Sequence, residues 1–509
     1  MKTIENSLII IIICFISLVY LLCLDTQLGS FGGDNAQYII LAKALSSGQG
    51  YRAINFPHQP PYTLVPPVFA LMLSPIVYFF GYNFFLMHIL ILVLAAFSLV
   101  FLFLLLKNKV NLATANLIVF LTGGHFLLLT LALTQILTEI PYIFFSLVAF
   151  FSFEQFIKLK EKKFFYIFVC IIATVAASLT RTIGIIIPLS FITLGLIKLK
   201  KEERAKAVIC LGLLLLIPGL IWFARNILVA SPFEPEGIFQ QFFMLDLYDD
   251  DAGNIGLTNL FNRIFFNAKD CADWAFNYVF PAFIFSKVPL PFFAILRGLF
   301  ILILCLGLWQ HLHKKLSSLE IYFSLYIFFL LFWHIFEIAR YLLPVQFLLF
   351  LYFFEGLKYL GNLNLKPKAK GILTTLVYLI ILLSLFLNSI HTYRTIKDYC
   401  SAPTDHRLIN FLIANKWVKA NTEKDAVILS RKPTITSLFS ERQSLGYPFT
   451  KDDKRIIDYI KAHAIKYIIL DEYFRESARF LAVAIKKNLP LFKLRYRVSD
   501  TLVFEFKPD

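Results

Sequence analysis

Long apolar runs separated by short basic stretches dominate the pattern of this chain. A hydrocarbon layer asks for about 20 apolar residues per helical span. Runs that meet or approach that length lie near 7–24, 84–106, 112–133, 140–157, 164–180, 183–197, 207–229, 290–310, 319–335, 339–357 and 371–391. They predict about eleven membrane spans by the length rule. The first run follows Lys2, but it is long for a signal-peptide core and no small-x-small cleavage pattern follows, so an uncleaved span is expected. Residues 65–81 are also apolar, yet they open on Pro66-Pro67 and carry Pro75. A surface-lying or re-entrant helix is expected there rather than a span.

The basic stretches orient the spans. Lys107 and Lys109, then 158–163, 198–206, Lys314 with Lys315, and 358–370 each follow an even-numbered run and together hold 17 Lys/Arg and 3 Asp/Glu. Positive loops face the cytoplasm. The N-terminus is therefore expected inside, while 25–64, 230–289 and the end of the chain are expected outside. The outer loop 230–289 carries eight acids against three bases, among many aromatics. Amphipathic pieces lying on the membrane surface would combine these features.

Composition agrees with a polytopic membrane protein, since a 58% hydrophobic content exceeds what a soluble core can bury. The chain has 49 basic and 33 acidic residues, and of these 82 charges 33 lie in 404–509. This shift marks a boundary near residue 400. Residues 1–400 form a transmembrane domain with outer loops 25–83 and 230–289, and 401–509 form a water-soluble domain outside the membrane. Helical spacing at 406–420, 452–463 and 474–487, with strand-like runs at 426–430, 467–470 and 501–506, makes that domain α/β. No phosphate-binding glycine motif follows a strand. The net charge of +16 sits largely in short loops, which argues against nucleic acid as a partner. Five of the seven cysteines (Cys14, Cys23, Cys170, Cys210, Cys305) lie in apolar runs and read as small hydrophobes.

Ionisable residues at the outer ends of spans are costly in a membrane and are the candidates for chemistry. Asp34, in Gly32-Gly33-Asp34-Asn35, reads either as an N-cap for the helix that follows or as a general base. Glu139, in Thr138-Glu139-Ile140-Pro141, suits a helix N-terminus and is also placed to act as a second or orienting acid. Arg181, Arg225 and Arg340 fall on the same outer side; they read as snorkelling cations or as a clamp for a lipid-linked phosphate. Tyr341 follows Arg340, and Tyr38 lies one turn after Asp34. His58 is the only histidine of the first outer loop and is a candidate metal or substrate contact, although a lone loop histidine is more often solvated. Asp249-Asp250-Asp251 begins like a calcium loop, but the twelfth position is Leu260 rather than Glu, a weak match.

Gly33-Asp34 with Tyr38, Ala42 and Leu45, then Gly48-Gln49-Gly50-Tyr51, then Pro66-Pro67 and Pro75 up to Gly81, resembles the first outer loop of the GT-C membrane glycosyltransferases. The likeness extends to bacterial relatives of the protein O-mannosyltransferases and to the lipid A aminoarabinose transferase. Thr138-Glu139-Ile140-Pro141, Leu179-Thr180-Arg181, Arg225-Asn226, Arg340-Tyr341 with Pro344, and Asp425–Arg431 of the tail also look like landmarks of that family.

The resemblance implies a GT-C-like fold and an inverting transferase of the plasma (inner) membrane, acting on the non-cytoplasmic face. Its donor would be a polyprenyl-phosphate-linked sugar, and its acceptor a hydroxyl of a protein, lipid or glycan. Asp34 would be the catalytic base, with Arg181, Arg225, Arg340 and Tyr341 on the donor phosphate and Glu139 and Tyr38 in support. No nucleotide would be needed. His58-Gln59-Pro60-Pro61 stands where the aminoarabinose enzymes carry an acid and a lysine before a proline pair. A divalent metal ion and the identity of the sugar therefore stay open. Two alternatives remain: a ligase or polymerase moving a lipid-diphosphate glycan, and a transporter of the lipid-linked sugar.

Overall fold

Each apolar run becomes a helix. The computed structural model describes residues 2–24, 32–158, 163–198, 202–229, 238–281, 290–334, 337–362, 367–401 and 405–507. Glu234 and Glu236 of the acidic outer loop, and Lys160, Lys162, Lys200, Lys201 and Lys366 of the basic stretches, lie outside the described residues. Six helices are long and apolar enough to cross a membrane: Phe84–Leu106, Glu139–Lys158, Ala205–Val229, Pro291–Lys314, Ile338–Gly361 and Gly371–Asp398. The pair Leu112–Gly123 and Phe126–Thr134, bent by 47°, makes a seventh if read as one span. Leu8–Leu22, Lys163–Ser178, Thr182–Ile197 and Ser318–Phe332 are shorter apolar helices, as is the 13-residue Val68–Phe80. Length and composition thus support six or seven crossings among the described residues, where the sequence led us to expect about eleven.

The bend at 124–125 is held by contacts from elsewhere in the chain. A Cβ on Gly123 would lie 2.7 Å from Leu99 Cδ1, so the chain there packs directly against its neighbour helix. His125 caps the second half by accepting from Leu127 N through Nδ1 at 3.3 Å. The freed carbonyls are not left bare: Tyr20 OH donates to Gly123 O at 2.6 Å and Thr392 Oγ1 to Gly124 O at 2.5 Å. Broken helices are tolerated at membrane depth when side chains satisfy the backbone in this way.

The last helix, Pro367–Ser401, runs past its apolar stretch. Its 35 residues make it about 52 Å long at 1.5 Å per residue, well beyond the hydrocarbon layer. His391, Thr392, Arg394 and Lys397 are polar but not helix-breaking, so the helix continues out toward the tail. The helix Leu257–Val279, within the segment 230–289, is amphipathic. It exposes Leu257, Phe261, Phe265 and Phe266, and buries Asn267, Cys271, Ala275 and Phe276.

Near the centre of the bundle, Gln346–Gly361 is buried throughout 346–357. It crosses Leu290–Lys314 with almost no space between backbones. A Cβ on Gly307 would sit 1.8 Å from Tyr352 O, and one on Gly356 would sit 2.0 Å from Ile303 O. Small residues permit such crossings, which bring van der Waals surfaces together where no hydrophobic driving force separates helix from lipid.

The tail is an α/β domain, as its spacing predicted. Its strands are β1 (Val427–Leu429), β2 (Gln443–Leu445), β3 (Ile465–Leu470), β4 (Phe492–Val498) and β5 (Thr501–Phe506), in the order β2-β1-β3-β5-β4. β1 is parallel to both β2 and β3, while β5 pairs antiparallel with β3 and β4. The β4–β5 connection turns at Ser499, whose φ is +53°. Two elements had no expectation from sequence: the Pro433–Ser440 helix and the three-residue β2.

The tail is bolted to two loops of the helical domain, around residues 55 and 250. Ser444 N donates to Asn55 O at 2.8 Å in the first loop. In the second loop, Asp250 Oδ2 accepts from Phe449 N at 3.1 Å and Asp251 Oδ2 from Thr450 Oγ1 at 2.9 Å. Arg479 pairs with Asp249 Oδ2 at 2.5 Å. The calcium-like aspartate run therefore meets protein donors of the tail.

Alanine at Gly307 or Gly356 must force the two helices apart. We expect a loss of about 1–3 kcal/mol, the usual range for overpacking, seen as a lower unfolding midpoint in detergent. Gly298, on the same helix with nothing within 4 Å of its Cβ position, is the control and should tolerate alanine.

Candidate active site

The site begins with a buried carboxylate. Glu139 opens the helix Glu139–Lys158 and is only 1% exposed. Its Oε1 accepts from Arg181 Nη1 and from Arg340 Nε. The two guanidiniums are themselves 13% and 20% exposed. Removing Glu139 would leave both guanidiniums without the counter-ion they share, so the group depends on that carboxylate. Among the described residues Glu139 Oε2 has no hydrogen-bond partner.

Backbone contacts fix Arg340. Tyr278 OH donates to Ala339 O at 2.6 Å, and Tyr326 OH donates to Tyr341 O at 2.7 Å. Two buried tyrosines thus clamp the residues on either side of it. The Tyr341 ring lies under Arg181, with the guanidinium carbon 5.4 Å from its centroid. Arg181 also donates to Thr138 Oγ1 at 3.3 Å, and the Tyr38 hydroxyl lies 3.5 Å from the same oxygen. Burial, and next the charge of Asp34, push the Tyr38 phenol above its ordinary pKa. It stays a neutral hydrogen-bonding group.

Asp34 stands at the rim. Its helix is Gly33–Ser46, with Gly32 as N-cap and no side-chain capping bond, so Asp34 occupies the second helical position. The N-cap reading of this residue is thereby corrected: the two glycines bring the helix start forward, and the carboxylate points to other partners. It is 65% exposed and receives Arg340 Nη1 at 3.2 Å. Arg340 Nη1 also reaches Glu337 Oε2 at 3.4 Å, another exposed carboxylate. Asn35 ties this helix to the chain before Glu139. It donates through Nδ2 to Gln135 Oε1 at 2.6 Å and accepts from Ile136 N at 3.1 Å.

The structure thus brings Asp34, Tyr38, Glu139, Arg181, Arg340 and Tyr341 together. Arg225 is engaged elsewhere. It donates to Tyr62 O at 2.6 Å, while Asn226 Nδ2 donates to Thr63 O at 2.9 Å, so this pair anchors the chain at residues 62–63. His58 is exposed on a turn where it and Gln59 both have positive φ, between the bridged residues Arg52 and Pro61. Among the described residues no three His, Cys, Asp or Glu side chains are grouped to hold a metal ion. The charged partners of Asp34 are cationic, which does not fit a divalent-ion site.

Sequence reasoning missed Asn35, Glu337 and one cation from the tail. Lys432 packs over Gly33: a Cβ there would lie 3.2 Å from Lys432 Cδ and 3.6 Å from its Nζ. Asn35 and Glu337 carried a faint signal, being polar neighbours of Asp34 and Arg340. Lys432 carried none in a stretch so rich in charge.

Comparison of the fold places this geometry in context. The chain superposes on ArnT from Cupriavidus metallidurans bound to undecaprenyl phosphate, with a TM-score of 0.61, 11% identity and 98% of each chain covered. It superposes on the oligosaccharyltransferase of Archaeoglobus fulgidus in complex with Zn and sulfate, with a TM-score of 0.59 and 13% identity, over 97% of this chain and 73% of that one. The same archaeal enzyme, AglB, with an inhibitory peptide and a dolichol-phosphate gives a TM-score of 0.56 at 13% identity, over 92% of this chain and 69% of that one. No family model and no curated protein matches the sequence. The chain shares the fold of these structures.

Glu139→Ala would strip the buried guanidiniums of their partner and is expected to cost about 3–5 kcal/mol, measured as a fall in the thermal unfolding midpoint. Glu139→Gln keeps the shape and one acceptor oxygen and should lose less. Midpoints equal to the unsubstituted protein would show that the arginines do not depend on this carboxylate.

Proposed function

We propose that this protein is an inverting glycosyltransferase that moves a sugar from a polyprenyl-phosphate donor to an acceptor hydroxyl on the non-cytoplasmic face of the plasma (inner) membrane. In this reading all eleven apolar runs cross, the N-terminus is cytoplasmic, and 401–509 lie outside. The observation that carries the proposal is the pairing of two unlike carboxylates through one arginine. Glu139 is buried and holds Arg340 Nε; Asp34 is exposed and touches only Nη1.

Asp34 is the base. It accepts the proton as the acceptor oxygen forms its bond to the anomeric carbon from the face opposite the phosphate. The bond from that carbon to the phosphate oxygen breaks with inversion, and the lipid phosphate leaves with the electron pair. Arg340 is the donor contact, held in place by Glu139, Tyr278 and Tyr326. A preorganised guanidinium of this kind stabilises charge that grows on the departing phosphate. Arg181 and Tyr341 support it from below. Arg225 serves the same reading indirectly, by holding the first outer loop in place. The fold neighbours support the donor class, since one is bound to undecaprenyl phosphate and another to a dolichol-phosphate.

Asp34→Asn is the direct test. Because Asp34 carries no cap, the change should leave expression and unfolding midpoint intact, while transfer from a polyprenyl-phosphate sugar falls about 100- to 10,000-fold, the range for loss of a general base. Unaltered transfer by the purified variant would refute the assignment.

A further inference from the structure

Lys432 follows β1 and directly precedes the Pro433–Ser440 helix, which docks on the Gly33–Ser46 helix through Thr434 Oγ1 and Gly33 O at 2.9 Å. The lysine stem rests on Gly33, the residue before Asp34, so closely that a methyl group there would meet it. Glycine at this position thus makes room for a side chain arriving from the other domain.

The neighbouring cations are already matched. Arg181 and Arg340 share Glu139. Arg431 pairs with Glu476 Oε2 at 3.0 Å and lies against the rings of Tyr248, Phe449 and Phe474. Lys432 differs. Among the described residues no carboxylate lies within ion-pair distance of its ammonium, whose close neighbour is the Phe474 ring, 5.4 Å away at the centroid. Burial, and next the charge of Arg431, lower its pKa from the ordinary lysine value, against the attraction of Asp34, Glu476 and Glu337 at longer range. A desolvated ammonium in that position lacks a counter-ion.

We propose that Lys432 binds the phosphate of the lipid-linked donor, so that the C-terminal domain completes the active site. The proposal rests on the donor reading above. Arg340 Nη1 lies 3.2 Å from Asp34 Oδ2, and the Lys432 side chain packs on Gly33, the residue before Asp34. An anion held between them therefore lies within reach of the base, with one cation supplied by each domain. An anion there recovers the interaction that burial took from the ammonium. It forms a charge-assisted hydrogen bond, of the stronger class. As the phosphate departs, the same contact grows stronger. The lysine is a point charge on a flexible stem and needs no paired geometry. It can follow the phosphate, while Arg340 stays fixed by Glu139.

The test is binding of undecaprenyl phosphate alone to the full-length protein in nanodiscs of neutral lipid, comparing the unsubstituted chain with Lys432→Gln and Lys432→Arg. We expect Lys432→Gln to weaken Kd about tenfold or more, as for a lost hydrogen bond to a charged group. Lys432→Arg should restore most of the affinity, and both variants should keep the unsubstituted unfolding midpoint. Rescue by arginine separates a charge contact from a packing role. Equal affinity for Lys432→Gln overturns the Lys432 assignment and leaves the donor reading standing. Failure of the unsubstituted protein to bind overturns both. Competition by inorganic phosphate at equal concentration overturns the lipid-donor assignment in favour of a general phosphate site.

Discussion

The charged cluster of the candidate site depends on the carboxylate of Glu139. A charge buried to 1% exposure at the end of an apolar helix is sustainable only with partners at contact distance. It has two, from stretches far apart in sequence, and they meet on one oxygen. That convergence brings three stretches of chain to one point: residues around 139, around 181 and around 340. The tyrosines at 278 and 326 add no charge. They fix the backbone on both sides of Arg340, so that the guanidinium has one direction in which to reach outward.

The same arrangement divides labour between two acids. Glu139 is inaccessible and permanent; Asp34 is exposed and exchangeable. Ion pairs between exposed groups are worth about 0–1 kcal/mol, whereas breaking a buried pair costs several times that. Arg340 is therefore locked at Nε and available at Nη1. The tail is locked by similar means. It meets the first loop at Asn55, the second at Asp249, Asp250 and Asp251, and the Gly33–Ser46 helix at Gly33. Sheet and bundle cannot shift independently without breaking several of these contacts.

How much of this was readable beforehand follows from where the physics is local. Apolar runs forced the helices, and the rise in charge density after residue 400 forced the separate α/β tail. Asp34, Glu139, Arg181 and Arg340 stood out because an ionisable group at a membrane face is expensive and needs a reason. The rest was hidden by context. The break at 124–125 depends on the closeness of Leu99 to Gly123, which no window of sequence contains. Whether Asp34 caps its helix turned on a shift of two residues in the helix start, below what spacing resolves. Arg225 looked like the other arginines by position, and only its carbonyl partner at Tyr62 sets it apart. Lys432 lies in a domain where charges are ordinary, so the very signal that marked the membrane arginines was absent.

On the proposed reading, the exchangeable half of Arg340 explains how a base can sit beside a cation and still work. While Nη1 stays on Asp34, the ion pair occupies a carboxylate oxygen that an acceptor hydroxyl would otherwise reach. A donor phosphate offers that nitrogen a charge-assisted contact of its own, and the exposed pair yields at small cost. Donor binding would then draw Arg340 toward the phosphate and release Asp34 toward the acceptor hydroxyl. Glu139 keeps the arginine from following either partner out of the site. The order of events follows from burial: the arginine is shared by three carboxylates, and only the buried one cannot be displaced.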